Sequence, residues 1–442
     1  MPKIFKSQKK EKIVKTKEKK VLFQSPRGMH DIFLPEDQCL WEKIRETAKK
    51  TADFYGYSRI DAPILEFAEI FEKSAGEASD IVEKQMFVLK TRGGDRLALR
   101  PEGTAGIMRA YFQRGLSSLP QPLKLFYFGP MFRHEAPQAG RYRQFHQIGF
   151  EILGGENDPV YDAQVILTTV RLIEEVKIKN LTVQINNIGC RHCRPAYRKK
   201  LQAYYHARQN KICKDCRRRL SVNPLRLLDC KNEDCEEIKK EAPIMIDFFC
   251  ADCRGHFKGV LEYLDELGLS YALNPYLVRG LDYYNGTVFE IFGDESKNAL
   301  ASGGRYDYLA EALKARKSSL PAVGSSIGVE RVIELMKSRG FSCAVSASPK
   351  VFLIQMGEPA KKKAIRLIEE FRKAGVKIGE SLGKDSLGNQ LKIADRKNVE
   401  IALIFGQREV FEENIIIRDM KSGVQETVPL NKAVEEVKKR LK

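Results

Sequence analysis

Apolar residues along this chain switch between helical and strand spacing, and each switch marks out an element. Trp41, Ile44, Ala48 and Ala52 recur at the interval of a helix that Pro35 opens and Gly56 ends. Short β-rich runs follow at Met86 to Lys90, Leu97 to Arg100, Leu125 to Phe128 and Phe145 to Leu153, with a turn at Gly93-Gly94. Together they predict an antiparallel sheet. Pro159 starts a second helix, with Val165, Ile166, Thr169, Leu172 and Ile173 on its apolar face, and Leu181 to Ile185 predicts a strand. From about 190 to 256 the periodicity breaks and Cys, Arg and Lys accumulate, which predicts an inserted module. Strands are expected again from Leu277 to Phe292, then helix and strand to about Met336. Beyond Ser346 to Pro349, strands at Val351 to Met356, Ile401 to Phe405 and Ile415 to Asp419 alternate with helices at Lys361 to Lys373 and Val434 to Leu441. Such alternation predicts a separate small α/β domain. The expected class is α/β in the α+β sense, an antiparallel sheet flanked by helices. Its divisions are a basic flexible tail (1–22), a body in two parts (23–189 and 257–346), the Cys-rich insertion (190–256) and a C-terminal domain (349–442).

Composition narrows the function. A length of 442 residues, 43% hydrophobic and 30% charged, suits two or three folded units and excludes a wholly disordered or collagen-like chain. With no run near the ~18 apolar residues of a membrane span and no apolar secretory core, a cytoplasmic protein without a membrane partner is expected. The net charge is +18, and nine lysines against two glutamates place +7 of it in the first twenty residues. A basic excess of this kind attracts polyphosphate, which makes nucleic acid the leading partner class. Taken alone, the tail reads equally well as a solubilising segment.

Neither a G-x-x-x-x-G-K-[ST] loop nor a G-x-G-x-x-G turn after a strand is present, and Gly379 to Lys384 is one residue short of the former. Phosphate binding then falls to arginines. Phe132-Arg133-His134-Glu135 ends one predicted strand, Gly140-Arg141-Tyr142-Arg143 lies in the loop, and Phe145 to Glu151 returns on the next strand. Period-two alternation puts Arg133, Glu135, Gln147, Gly149 and Glu151 on one face. Arg331 follows the small-residue strand Gly324 to Gly328 into a helix. Guanidinium groups match phosphate oxygens bidentately, so two or three can hold a triphosphate without a glycine-rich loop.

Arg100-Pro101-Glu102-Gly103-Thr104, the Phe132 to Glu151 hairpin, Leu277-Val278-Arg279-Gly280-Leu281-Asp282-Tyr283-Tyr284, Gly303-Gly304-Arg305-Tyr306-Asp307 and Gly324 to Arg331 stand in the order of a known motif set. The chain resembles the class II aminoacyl-tRNA synthetases and, among them, the histidyl-tRNA synthetases, from about Pro26 to its C-terminus. The resemblance implies ATP-dependent activation of histidine and its transfer to tRNA(His), with Mg2+ on the phosphates. It implies that Arg133 grips the α-phosphate and the amino acid carboxylate, that Arg279 neutralises the α-phosphate, and that Arg331 and Arg141 take the γ-phosphate. Glu135 and a stacking Phe145 would hold adenine. Glu102, Thr104 and Gln147 would meet the substrate ammonium, and Glu151 with Tyr284 the imidazole, Tyr283 packing beside them. A segment around Pro63 resembles the part that builds a homodimer, and the C-terminal domain resembles an anticodon-binding domain in which Gln390, Lys392, Asp395 and Arg396 face bases. Ala136 departs from the Arg common in that loop of the family, and the tail lies outside the resemblance.

Cys190-x-x-Cys193, Cys213-x-x-Cys216, Cys230-x₄-Cys235 and Cys250-x-x-Cys253 make four close pairs. Two pairs close one tetrahedral thiolate site, so structural Zn2+ is expected, reduced buried thiols being the alternative. The spacing of the first two pairs is that of a zinc ribbon. Cys39 and Cys343 are expected to be lone packing residues, and Arg217, Arg218 and Arg219 suit a clamp on the acceptor stem, a solvated face being the alternative. The rival function is a silent paralogue acting as regulatory subunit of ATP phosphoribosyltransferase. Retention of Arg133, Arg279, Arg331 and the C-terminal domain favours the enzyme.

Overall fold

The computed structural model describes residues 23–33, 35–76, 79–136, 140–294, 296, 298–341, 349–384 and 386–441. The basic tail and Cys343 lie outside them. The described residues of Met1–Phe33 and Trp41–Phe341 form one compact unit, and those of Leu34–Leu40 and Ser342–Lys442 a second.

The first unit is built on an eight-stranded sheet whose strands run, edge to edge, Ser58–Arg59, Leu123–Phe132, Gln144–Leu153, Ala322–Gly328, Ala301–Arg305, Asn285–Phe292, Thr182–Asn187 and Tyr271–Leu273. All neighbours are antiparallel except the two edge pairs. The expected hairpin is its centre. Gly129 faces Gln147, Tyr127 faces Gly149 and Leu125 faces Glu151, and Glu151 in turn faces Gly324. The helix Pro159–Glu175 opens on Pro159 with the Asp158 side chain accepting from Val160 N, and buries Val165, Ile166, Leu172 and Ile173. Arg305, buried at the end of its strand, pairs with Asp162 of that helix and with Asp307, tying helix to sheet.

Two expectations are corrected. The runs near 86–90 and 97–100 do not join the central sheet; Phe87–Lys90 and Arg96–Leu99 form a separate three-stranded sheet with Leu65–Phe67. Pro101 has no N–H and stops the ladder there. Of Leu277 to Phe292, only Asn285–Phe292 is a strand. Leu277, Val278, Leu281, Tyr283 and Tyr284 are all buried, on both parities, so 277–284 packs inward as an irregular segment.

The insert is helical, with Arg194–His206, Lys214–Val222, Glu233–Lys239 and Ala251–Glu266, the last running past 256 to meet Asp162 through His256 at 3.1 Å. Its first cysteine pair meets the fourth, and its second meets the third. The zinc-ribbon pairing of first with second does not occur, because the 13-residue helix Arg194–His206 spans about 20 Å and carries the chain away. Cys39 is disulfide-bonded rather than a lone packing residue.

In the second unit a five-stranded sheet runs Ile378–Glu380, Val351–Gln355, Ile401–Phe405, Asn414–Asp419, Gln425–Pro429, parallel across the first three and antiparallel beyond. Glu358–Lys373 and Ala433–Arg440 bury Leu367, Phe371 and Val437 in its core. Gln390, expected to face bases, is fully buried: its Oε1 accepts from Gln355 N and its Nε2 donates to Gln355 O. Lys392, Asp395 and Arg396 on the same helix are exposed.

Candidate active site

Period-two alternation along Gln144–Leu153 sends Gln147, Gly149 and Glu151 to one face. Glycines there make room for a neighbour: a Cβ on Gly149 would stand 2.1 Å from the Tyr127 ring, and one on Gly324 1.6 Å from the Glu151 carboxylate. Above this floor opens a cavity of about 410 Å³, within the range of small-molecule sites.

Every expected substrate residue except Glu151 lines it: Glu102, Thr104, Arg133, Gln147, Arg279, Tyr283 and Tyr284 of the histidine set, and Glu135, Arg141, Phe145 and Arg331 of the ATP set. Glu102 accepts from Thr104 N at 2.6 Å and Ala105 N at 2.9 Å, at the start of the helix Thr104–Gln113. Burial raises its carboxyl above the ordinary range. Arg133 donates from Nε to Pro101 O at 2.9 Å and lies 5.3 Å over the Phe145 ring. Arg331 donates to Gly140 O and Ala299 O, anchoring the hairpin loop. Arg141 pairs with Glu135 at 3.7 Å.

Arg279 donates to Glu290 and to Ser302 Oγ, and its guanidinium stands 5.6 Å from the Tyr284 ring. Burial pulls its pKa down, but Glu290 and the two tyrosines outweigh that and hold it above the usual value. Among the described residues Arg279 Nε and Gln147 Oε1 are buried without a hydrogen-bond partner. Such orphans are rare in folded chains, and at a cavity wall they mark where a polar ligand completes the set.

Glu151 lies one layer beneath the cavity, 1% exposed, with Thr104 Oγ1 donating to it at 2.7 Å and the Tyr306 hydroxyl donating from the other side. Burial pushes its carboxyl up to about 8. Tyr306, Tyr127, Glu290 and Ser302 carry no signal in the sequence that assigns them a role. Tyr306 stands in the run Gly303 to Asp307, whereas the other three come from strand positions whose facing is visible only in the register. Arg219, by contrast, is taken up by Asp80, and Arg217 by the carbonyls of Ile212 and Asn210.

Residues 28–332 match the family model described as histidyl-tRNA synthetase. The chain belongs to the histidyl-tRNA synthetase family. A second model, described as an anticodon binding domain, matches residues 350–440. Relatives within the family include the histidine–tRNA ligase of Dehalococcoides mccartyi, 44% identical over 95% of this chain and 100% of that one, and that of Halothermothrix orenii, 41% identical over 94% and 99%. Among solved structures, apo S. aureus histidyl-tRNA synthetase is 31% identical with a TM-score of 0.74, covering 94% of this chain and 99% of its own. The class II fold expected for the family, antiparallel sheet with flanking helices, is the fold observed.

Proposed function

We infer that this chain is a histidine–tRNA ligase, which activates histidine with ATP and passes it to the 3′ end of tRNA(His). The observation that carries the reading is the convergence in one cavity of carboxylate, hydroxyl and phenol groups from Glu102, Thr104, Tyr283 and Tyr284 with the guanidinium groups of Arg133, Arg141, Arg279 and Arg331. Fold alone would not support a reaction; this site does. The substrate carboxylate oxygen attacks the α-phosphorus, the bond to pyrophosphate breaks, and histidyl-adenylate forms. A ribose hydroxyl then attacks the adenylate carbonyl and AMP leaves. The protein contributes placement and charge. Arg133 and Arg279 flank the α-phosphate, Arg331 and Arg141 the γ-phosphate, and Glu135 with Phe145 the adenine. Glu102, Thr104 and Gln147 receive the ammonium, and Glu151 with Tyr284 the two imidazole nitrogens, with Tyr283 packed against Tyr284, their ring centroids 4.6 Å apart.

Mg2+ fits this site as a companion of ATP. Hard cations take oxygen ligands, and Glu290 at the cavity wall offers a carboxylate beside the expected phosphates. The ion would neutralise phosphate charge. Structural Zn2+ belongs with the insert's cysteines, away from the chemistry.

ATP–pyrophosphate exchange with each amino acid in turn tests the reading, and exchange with histidine alone is expected. A folded protein that binds histidine without exchange would turn the assignment to the regulatory subunit of ATP phosphoribosyltransferase.

A cytoplasmic homodimer is part of the same reading. No described helix is long and apolar enough to cross a membrane. On the small sheet, Leu65 pairs with Leu99 and Phe67 with Leu97, while Phe87 and Leu89 flank them from the other side, so one face is wholly apolar. Phe67 is 57% exposed and Leu89 48%. A contiguous apolar face of this kind suits a second copy of the chain. Phe67→Asp combined with Leu89→Asp is expected to halve the mass seen by light scattering while leaving circular dichroism unchanged. A mass equal to wild type would exclude this face as the dimer surface.

A further inference from the structure

The eight insert cysteines gather in two nested groups: Cys190, Cys193, Cys250 and Cys253, and inside that loop of chain Cys213, Cys216, Cys230 and Cys235. Within each group every sulfur lies within 4.8 Å of the others, and all eight are free thiols. Separations of 3.6 Å for Cys190–Cys193, 3.9 Å for Cys190–Cys250 and 3.8 Å for Cys213–Cys230 are far beyond a sulfur–sulfur bond of about 2.05 Å. They match the edge, roughly 3.8 Å, of a tetrahedron of sulfurs about 2.3 Å from a central ion. Backbone N–H groups also point at the sulfurs: Cys250 N at Cys193 Sγ (3.1 Å), Cys213 N at Cys235 Sγ (3.2 Å) and Cys253 N at Cys250 Sγ (3.4 Å). Donors so placed stabilise charged thiolates rather than neutral thiols. Four thiolates in tetrahedral array select a soft, closed-shell divalent cation, which is Zn2+.

Beside each group in the chain stands an arginine that holds the irregular segment 277–284. Arg194 follows Cys193 directly; it donates to the carbonyl of Tyr284 and, from Nε, to that of Ile188 at 3.0 Å. Arg226 lies in the short turn Pro224–Asp229 that leads into Cys230. It donates to the carbonyl of Arg279 at 3.3 Å and to Asp80 at 2.7 Å, while Asn223 donates to Asp282 at 2.8 Å. A segment without ladder bonds of its own takes its shape from these donors.

We propose that the insert binds one Zn2+ in each cysteine group, and that the two ions act as positioning sites that fix Arg194 and Arg226 on the backbone carrying Arg279, Tyr283 and Tyr284, so setting the affinity for histidine. The effect on histidine rests on the ligase reading; the metal assignment does not. Full-length protein purified reduced and without chelator after growth with zinc is expected to carry two Zn2+ per chain by elemental analysis, and the Cys213→Ser/Cys216→Ser variant one. Fewer than two in the wild type overturns the two-ion assignment. In pyrophosphate exchange, that variant and Arg226→Ala are expected to raise the histidine KM at least tenfold and to leave the ATP KM within twofold, because only Arg279 among the proposed ATP contacts lies on the held segment, the others coming from the hairpin and the helix Val329–Ser338. Simple loss of folded protein lowers apparent kcat without splitting the two KM values. Arg226→Ala keeps every cysteine, so it decides the positioning role even where the serine variant does not fold. An unchanged histidine KM in Arg226→Ala, or equal rises in both KM values, overturns that role. Were the wild type to show no exchange, the ligase reading would fall, and calorimetric histidine affinity of wild type and Arg226→Ala would replace KM.

Discussion

Arg279→Ala is expected to abolish histidine-dependent pyrophosphate exchange while the protein still melts cooperatively. The side chain supplies a full positive charge and one unpartnered buried donor, Nε, at the cavity wall. Removing a single preorganised donor from a site of developing charge lowers rates by about 10² to 10³. Loss of the charge together with the donor fork is therefore expected to lower exchange by roughly 10³-fold or more. The fold has less at stake, because the abandoned Glu290 is 25% exposed and can be hydrated. Arg279→Lys should recover only part of the activity, since an ammonium keeps the charge but cannot meet Glu290, Ser302 and a phosphate oxygen together. Near-normal exchange in Arg279→Ala would remove Arg279 from the chemistry.

The contrast between Arg279 and Arg133 shows what could be read before the structure. Arg133 ends a strand whose period-two pattern and partner are visible in the residues themselves, so its company with Gln147 was legible. Arg279 sits in a stretch whose composition reads as strand, yet it folds inward because Arg226, Arg194 and Asn186 satisfy its backbone from afar. No local pattern reports such partners. The insert is a second instance. Cysteine spacing marks out the four close pairs, but the nesting of first pair with fourth depends on how far the intervening helices carry the chain. Gln390 is the reverse case: a polar residue on an exposed-looking helix turned inward to latch a neighbouring strand. Polar residues that satisfy buried backbone look, in sequence, the same as those that await a ligand.

Glu151→Gln separates those two roles in a single side chain, with opposite effects on binding and on stability. Glutamine fills the same space and can meet both hydroxyls, since Thr104 and Tyr306 each donate or accept. Above pH about 8, where the Glu151 carboxyl is ionised, glutamine cannot supply its charge-assisted bond to an imidazole N–H, which is worth about 2–3 kcal/mol, a factor of roughly 30 to 150 in histidine KM. The ATP KM is expected to stay where it was. Stability should move the other way. The folded carboxyl titrates at about 8 because it is buried, against about 4.3 for an ordinary glutamate. The folded state thus keeps a proton that the unfolded chain has released, and the stability this gives is complete below pH about 4.3 and is lost as pH rises towards 8. Glutamine carries no such dependence. The melting temperature of Glu151→Gln should therefore rise relative to wild type between pH 5 and pH 8, while the limb of kcat/KM for histidine near pH 8 disappears. A variant that binds histidine as wild type does, at any pH, would place the imidazole against some other acceptor, and Glu151 would then be a buried strut between Thr104 and Tyr306.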